Sequence, residues 1–159
     1  MFDLTDRTVL ITGGCGLLGQ QHAEAILEFG GEVILTDVIS DTNGVTKLKE
    51  KYKKNISSVY MDVTDKSSIQ HVVDSCDKID VLINNAALDP KVEDGLEWKN
   101  KFEHLDLDSW NETIDVILNG TFLCSQVVIN KMLSTGLESE YCRDGGVILN
   151  IASDLSIIS

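Results

Sequence analysis

Short runs of consecutive apolar residues alternate along this chain with longer stretches whose apolar positions recur every three or four residues. The short runs are Thr8–Thr12 (TVLIT), Glu32–Thr36 (EVILT), Ser58–Met61 (SVYM), Asp80–Ile83 (DVLI) and Val147–Ile151 (VILNI), and their length and β-branched content predict strands. The longer stretches predict helices over Leu18–Phe29, Val45–Lys54, Asp65–Cys76 and Ser109–Leu133. Gly30-Gly31 stops the first of these, and Asp65 is an N-cap for the third. The charged stretch Asp89–Leu107 predicts a loop. Strands alternating with helices of this length imply βαβ units, and uninterrupted apolar strands imply a sheet covered on both faces. The expected fold is therefore α/β: a doubly wound parallel sheet of about five strands in three α/β/α layers, with right-handed crossovers. No repeat, low-complexity tract or linker interrupts residues 1–159, which predicts a single domain.

The longest helix adds a second expectation. Its polar residues Glu112, Asp115, Asn119, Gln126 and Asn130 form one narrow stripe, and most other positions from Ile114 to Leu133 are apolar. A helix that covers one sheet face needs an apolar stripe only somewhat wider than ~100°. This one should therefore meet the sheet and something else, either an absent helix or another subunit; a helix wedged between two neighbours in its own layer is the alternative.

Composition narrows the field further. A net charge of −13, spread along the chain, repels phosphate backbones and argues against nucleic acid as a partner. Cys15, Cys76, Cys124 and Cys142 form no CxxC pair and have no histidine at zinc-site spacing, so we read them as reduced thiols of a cytoplasmic protein without a metal. The opening MFDLTDRTVLITGG is not a signal peptide, and we see no run of about 20 apolar residues that would span a membrane.

The chemistry begins where the first strand ends, at Thr12-Gly13-Gly14-Cys15-Gly16-Leu17-Leu18-Gly19. Gly14, Gly16 and Gly19 make GxGxxG between a strand and a helix. We assign Gly14 to the tight turn, Gly16 to close approach of a pyrophosphate, and Gly19 to close helix–strand packing. The helix N-terminus offers free N–H groups and a partial positive charge to phosphates. The second strand leads directly into Asp37, placed to accept from the ribose hydroxyls of an adenosine. With no arginine beside it, Asp37 favours NAD over NADP. Asp62-Val63 follows the third strand, where a carboxylate suits the adenine amino group, although an ordinary turn aspartate explains it as well. Asn84-Asn85-Ala86-Ala87 follows the fourth strand: amides there bridge strand ends, and small alanines leave room for a cofactor.

In these residues the chain resembles the short-chain dehydrogenase/reductase family, a Rossmann-type fold. TGGCGLLG matches the family's TGxxGxxG spacing, although not the commoner TGxxxGxG. Asp37, Asp62-Val63, NNAA, the GTFLCSQ helix and GGVILNIAS fall in the family's order. Within the family, TGGCGLLGQQHAEAILEFGG and NNAALDPK resemble a bacterial branch of flagellin-modification and surface-sugar dehydrogenases. The resemblance implies hydride transfer between a nicotinamide cofactor and an alcohol or carbonyl, in a homodimer or homotetramer acting on a small molecule. It implies that Ser153 holds the substrate oxygen.

Two features depart from the family. Ile117 stands where the family carries an asparagine that holds a relay water, and Asn119 lies on the polar stripe instead. No Tyr-x-x-x-Lys occurs: four residues after Tyr52, Tyr60 and Tyr141 stand Ile56, Thr64 and Gly145. The expectation is an N-terminal portion of the fold, inactive alone. Extended sugar-nucleotide epimerases or dehydratases and a non-catalytic dinucleotide-binding module stay open as alternatives.

Overall fold

A computed structural model describes residues 2–39, 41–88, 102–104, 106–136 and 145–152. The chain runs β1 (Thr8–Thr12), α1 (Leu17–Glu28), β2 (Glu32–Asp37), α2 (Asn43–Tyr52), β3 (Ile56–Tyr60), α3 (Lys66–Ser75), β4 (Val81–Asn84), α4 (Leu107–Ile114), α5 (Thr121–Gly136) and β5 (Val147–Asn150). The five strands form one parallel sheet in the order β3-β2-β1-β4-β5. β1 is central and buried along its whole length, as its unbroken apolar run requires.

Alternation along the strands feeds two cores. Val9, Ile11, Val33 and Leu35 meet Ala23 and Leu27 of α1 and Val45 and Leu48 of α2 on one face. Leu10 and Leu82 meet Ile69, Val72 and Val73 of α3 and Cys124, Val127 and Val128 of α5 on the other. Strand order reverses direction between β1 and β4, which opens a crevice beyond the carboxyl ends of these two strands, the usual ligand site of such sheets.

The expected elements all form, with shifted ends that have local causes. α2 begins at Asn43 because Thr42 caps it, its hydroxyl accepting from the Val45 N–H. It ends at Tyr52 because Lys53 takes φ +52°. Asp65 caps α3 as expected, accepting from the Ser67 N–H at 2.8 Å. The expected loop Asp89–Leu107 carries a 3₁₀ turn at Phe102–His104 and gives Leu107 to α4, which Asp106 caps. Residues 89–101 and 105, with Trp98, lie outside the described residues.

The expected single helix Ser109–Leu133 is α4 and α5 joined by a π-helical segment, Asp115–Gly120. Gly120 meets Val63 so closely that a Cβ there would lie 2.8 Å from a Val63 methyl. Contrary to the sequence reading, Leu107–Thr135 is long and apolar enough by composition to cross a membrane. One side is built into the core with α3 and β4, as in any helix covering a sheet. Leu118, Phe122, Ile129 and Leu133 are exposed on the other, with Phe122 at 62%, so the expected second contact face is present and is not covered by the described residues. Val147, Leu149 and Ile151 are likewise exposed on the face of β5 opposite α5.

Candidate functional site

The strand-to-helix turn after β1 is shaped by contacts that leave no room for side chains. Gly13, not Gly14, takes the left-handed conformation, φ +61°, and a Cβ there would lie 2.8 Å from the Ala86 Cα. The turn role expected of Gly14 thus belongs to Gly13. Gly14 lies flat on Leu35 of β2, where a Cβ would come within 2.8 Å of its side chain. Gly19 plays its expected part, since a Cβ would meet the Gly13 carbonyl at 2.6 Å as α1 crosses the turn. Gly16 opens α1 with no side-chain cap, so the first-turn N–H groups stay available to an anion.

β4 is laced to this turn. Thr12 Oγ1 accepts from the N–H groups of both Asn85 and Ala86 at 3.0 Å, and the Asn85 amide donates to the carbonyls of Thr12 and Gly13. Asn84 faces the other way. Its amide donates to Ser125 Oγ at 3.1 Å and to Asn150 Oδ1 at 2.8 Å, tying β4 to α5 and β5, while its own Oδ1 is buried with no partner among the described residues. The paired asparagines do bridge strand ends as expected, but in two separate seams.

Asp37 ends β2 beside the turn. Oδ2 accepts from the Cys15 N–H at 3.0 Å and Oδ1 from the Ile39 N–H at 3.2 Å, and each oxygen retains acceptor capacity. Asp62 Oδ1 takes both the N–H and the hydroxyl of Thr64, so Asp62 is a turn aspartate and a cavity residue at once. Cys15 is buried beneath the turn. Burial first, and the Asp37 and Asp41 charges next, push its thiol up to about 11, which keeps it protonated and inert.

These elements enclose one cleft of about 540 Å³ at the carboxyl ends of the strands. Gly13, Gly16, Leu17, Leu18, Asp37, Asp62, Val63, Asn85, Ala86 and Ala87, all expected from the sequence, line it. Thr12, Gly14, Cys15 and Gly19 do not: they stand behind the wall and hold its shape. Val38, Ile39, Leu88 and Val116 line it without having been expected. The exposed Val38-Ile39 pair after Asp37 was a usable signal; Val116, brought in by the π segment, had none. Asn119 is directed elsewhere, its amide donating to Asp115 Oδ1 at 2.7 Å beside a separate cleft. Ser153, Tyr141 and Cys142 lie outside the described residues.

The cleft thus brings together the uncapped first-turn amides of α1, two carboxylates and apolar walls. The sequence matches the short chain dehydrogenase family model over residues 7–158. It is 30% identical to the NAD-dependent glycerol dehydrogenase of Listeria innocua, over 99% of this chain and 57% of that protein. It is 28% identical to the 5-keto-D-gluconate 5-reductase of Escherichia coli, over 96% and 56%. The fold superposes on the 3-ketoacyl-(acyl-carrier-protein) reductase of Brucella melitensis, solved with NADH, with a TM-score of 0.77 at 22% identity, covering 95% of this chain and 58% of that one. The chain thus spans a little over half the length of these relatives.

Proposed function

The chain belongs to the short chain dehydrogenase family, and from that premise we propose that it is the cofactor-binding part of an NAD-dependent oxidoreductase acting on an alcohol or carbonyl. One observation carries the proposal: the glycine turn, Asp37, Asp62 and Asn85-Ala86-Ala87 converge on a single cleft although up to 74 residues separate them. NAD, when bound, supplies the hydride acceptor by which an alcohol becomes a carbonyl. The chain's own residues do the holding. The N–H groups at the start of α1 bind the pyrophosphate, the Asp37 carboxylate accepts from the adenosine ribose hydroxyls, and Val38, Ile39 and Val63 give the base an apolar seat. The same carboxylate repels a 2′-phosphate, which is why NAD rather than NADP is the proposed cofactor.

We assign Ser153 to the substrate oxygen by resemblance alone. The sequence holds no Tyr-x-x-x-Lys to move the proton, and Ile117 cannot hold a relay water, so the chain by itself binds cofactor without turnover. The glycerol dehydrogenase and keto-gluconate reductase relatives support a polyol or sugar-derived substrate. A reducing, cytoplasmic setting agrees with Cys15, Cys76 and Cys124, which are unpaired among the described residues. The uncovered apolar sides of α5 and β5 support assembly with further polypeptide, in a homo-oligomer. They also weigh against a self-sufficient binding module, the reading that the missing proton donor favours.

Isothermal calorimetry with NAD, together with an NADH-formation assay on polyols, tests the proposal. Saturable NAD binding with no turnover is expected. No heat at millimolar NAD overturns the cofactor assignment, and steady NADH production overturns the claim of inactivity.

A further inference from the structure

Beside the cleft, three side chains satisfy one another. Lys49, in the second turn of α2, donates from Nζ to Asp41 Oδ2 at 2.5 Å and to Ser58 Oγ at 2.7 Å, and the Ser58 hydroxyl donates to Asp41 Oδ1. We infer that Asp41, by holding Lys49 against Ser58, is a specificity-determining residue of the adenosine end of the cleft: it withholds the cation that a 2′-phosphorylated cofactor would need.

The placement follows from the sheet. Ser58 pairs with Leu35 and Tyr60 pairs with Asp37, so Ser58 and Asp37 project from the same face as diagonal neighbours. Strand spacing and rise put their Cα atoms about 8 Å apart. Asp41 lies in the short connection from Asp37 at the end of β2 to the start of α2 at Asn43, and Lys49 of α2 is tied back to that connection through Asp41. The segment bearing Asp41 is fixed to that turn by Gln20, whose amide donates both to the Cys15 carbonyl at 2.8 Å and to Thr42 Oγ1 at 3.1 Å. Lys49 and Asp41 are each about one-third exposed, so the lysine's flexible stem is free to swing once its partner is gone.

The arrangement separates two ways of rejecting a 2′-phosphate. Asp37 rejects it by like charge. Asp41 rejects it by occupying the nearby cation, so removing Asp37 alone leaves a phosphate with no new partner. This inference rests on the cofactor reading above.

Calorimetry with NAD and with NADP on the full chain tests it, in Asp37→Ser, in Asp37→Ser/Asp41→Asn, and in the latter with Lys49→Met added. The double variant is expected to bind NADP about tenfold tighter than Asp37→Ser, with a steeper salt dependence, and the gain is expected to vanish with Lys49→Met. A double variant no better than Asp37→Ser, or a gain that survives Lys49→Met, overturns the inference. Melting curves confirm folding, and Asp41→Ser replaces Asp41→Asn if the latter melts early, with the same outcomes. Failure of the unsubstituted chain to bind NAD is a different result: it overturns the cofactor reading, and this inference falls with it.

Discussion

The two ends of the sheet use aspartate in opposite ways. At the amino ends of β1 and β4, Asp80 has a side chain only 15% exposed and is bound on every side. It accepts from the Thr8 N–H at 2.8 Å and pairs with Arg7 at 3.3 Å and Lys78 at 3.2 Å. Burial alone would raise its pKa, but the Thr8 N–H, Lys78 and Arg7 outweigh burial and hold the carboxyl below the usual aspartate range. At the carboxyl ends, Asp37 and Asp62 accept only from neighbouring N–H and hydroxyl groups, and among the described residues neither has an ion pair. A carboxylate that joins strands has its charge matched within the protein. Those that line the cleft are oriented by neutral donors, and their charge is left without a matching cation among the described residues.

The comparison breaks most severely if the frame of the cleft is lost. Gly13→Val forces a β-branched residue into φ +61° with its Cβ 2.8 Å from the Ala86 backbone. Left-handed strain of about 1–2 kcal/mol and overpacking of about 1–3 kcal/mol add to a loss of roughly 3 kcal/mol. Urea unfolding is expected to show that loss together with abolished NAD binding. A variant of unchanged stability would mean that the turn is looser than its contacts imply.

The next two substitutions should separate cleanly. Asp80→Ala strands the Thr8 N–H and two cations at the closed end. The expected cost is about 1.5–3 kcal/mol, most of it from the backbone hydrogen bond, because Arg7 and Lys78 are partly exposed and surface pairs contribute little. NAD affinity of the folded fraction should not change. Asp37→Ala should do the reverse, weakening NAD by about tenfold or more, equivalent to about 1.4 kcal/mol, with a smaller change in stability. Equal effects of both variants on NAD affinity would remove the distinction between the two ends.

Much of this contrast was legible in the sequence, for physical reasons. TVLIT, EVILT and DVLI read as buried strands because a sheet covered on both faces needs unbroken apolar runs. The glycine turn and Asp37 were legible because few other residue types fit there. What escaped was whatever depends on tertiary contact. The π segment 115–120 has no compositional signature, yet it delivers Val116 to the cleft. The exchange of roles between Gly13 and Gly14 turns on a φ angle that either residue would tolerate. Cys15 sits in the middle of the motif and yet faces the core. Asp80 looked like the first residue of a strand, since its partners Thr8 and Arg7 lie more than 70 residues away.

The smallest effect tests whether charge, rather than shape, is what Asp80 contributes. Its folded-state pKa is lowered, so its ionised form stabilises the fold at any pH above the unfolded value, about 3.9 for aspartate. That contribution disappears as pH falls through the lowered folded value, where the carboxyl takes up a proton and both cations lose their partner. Asp80→Asn keeps the size and one acceptor oxygen and has no such titration. The stability gap between the two proteins, measured by urea unfolding, should therefore be constant from pH 7 to about 5 and narrow steadily below pH 4. A gap that stays constant down to pH 2 would show that the Asp80 charge is irrelevant and that hydrogen-bond geometry alone binds β1 to β4. The closed end would then resemble the open one, with neutral donors orienting a carboxylate in both.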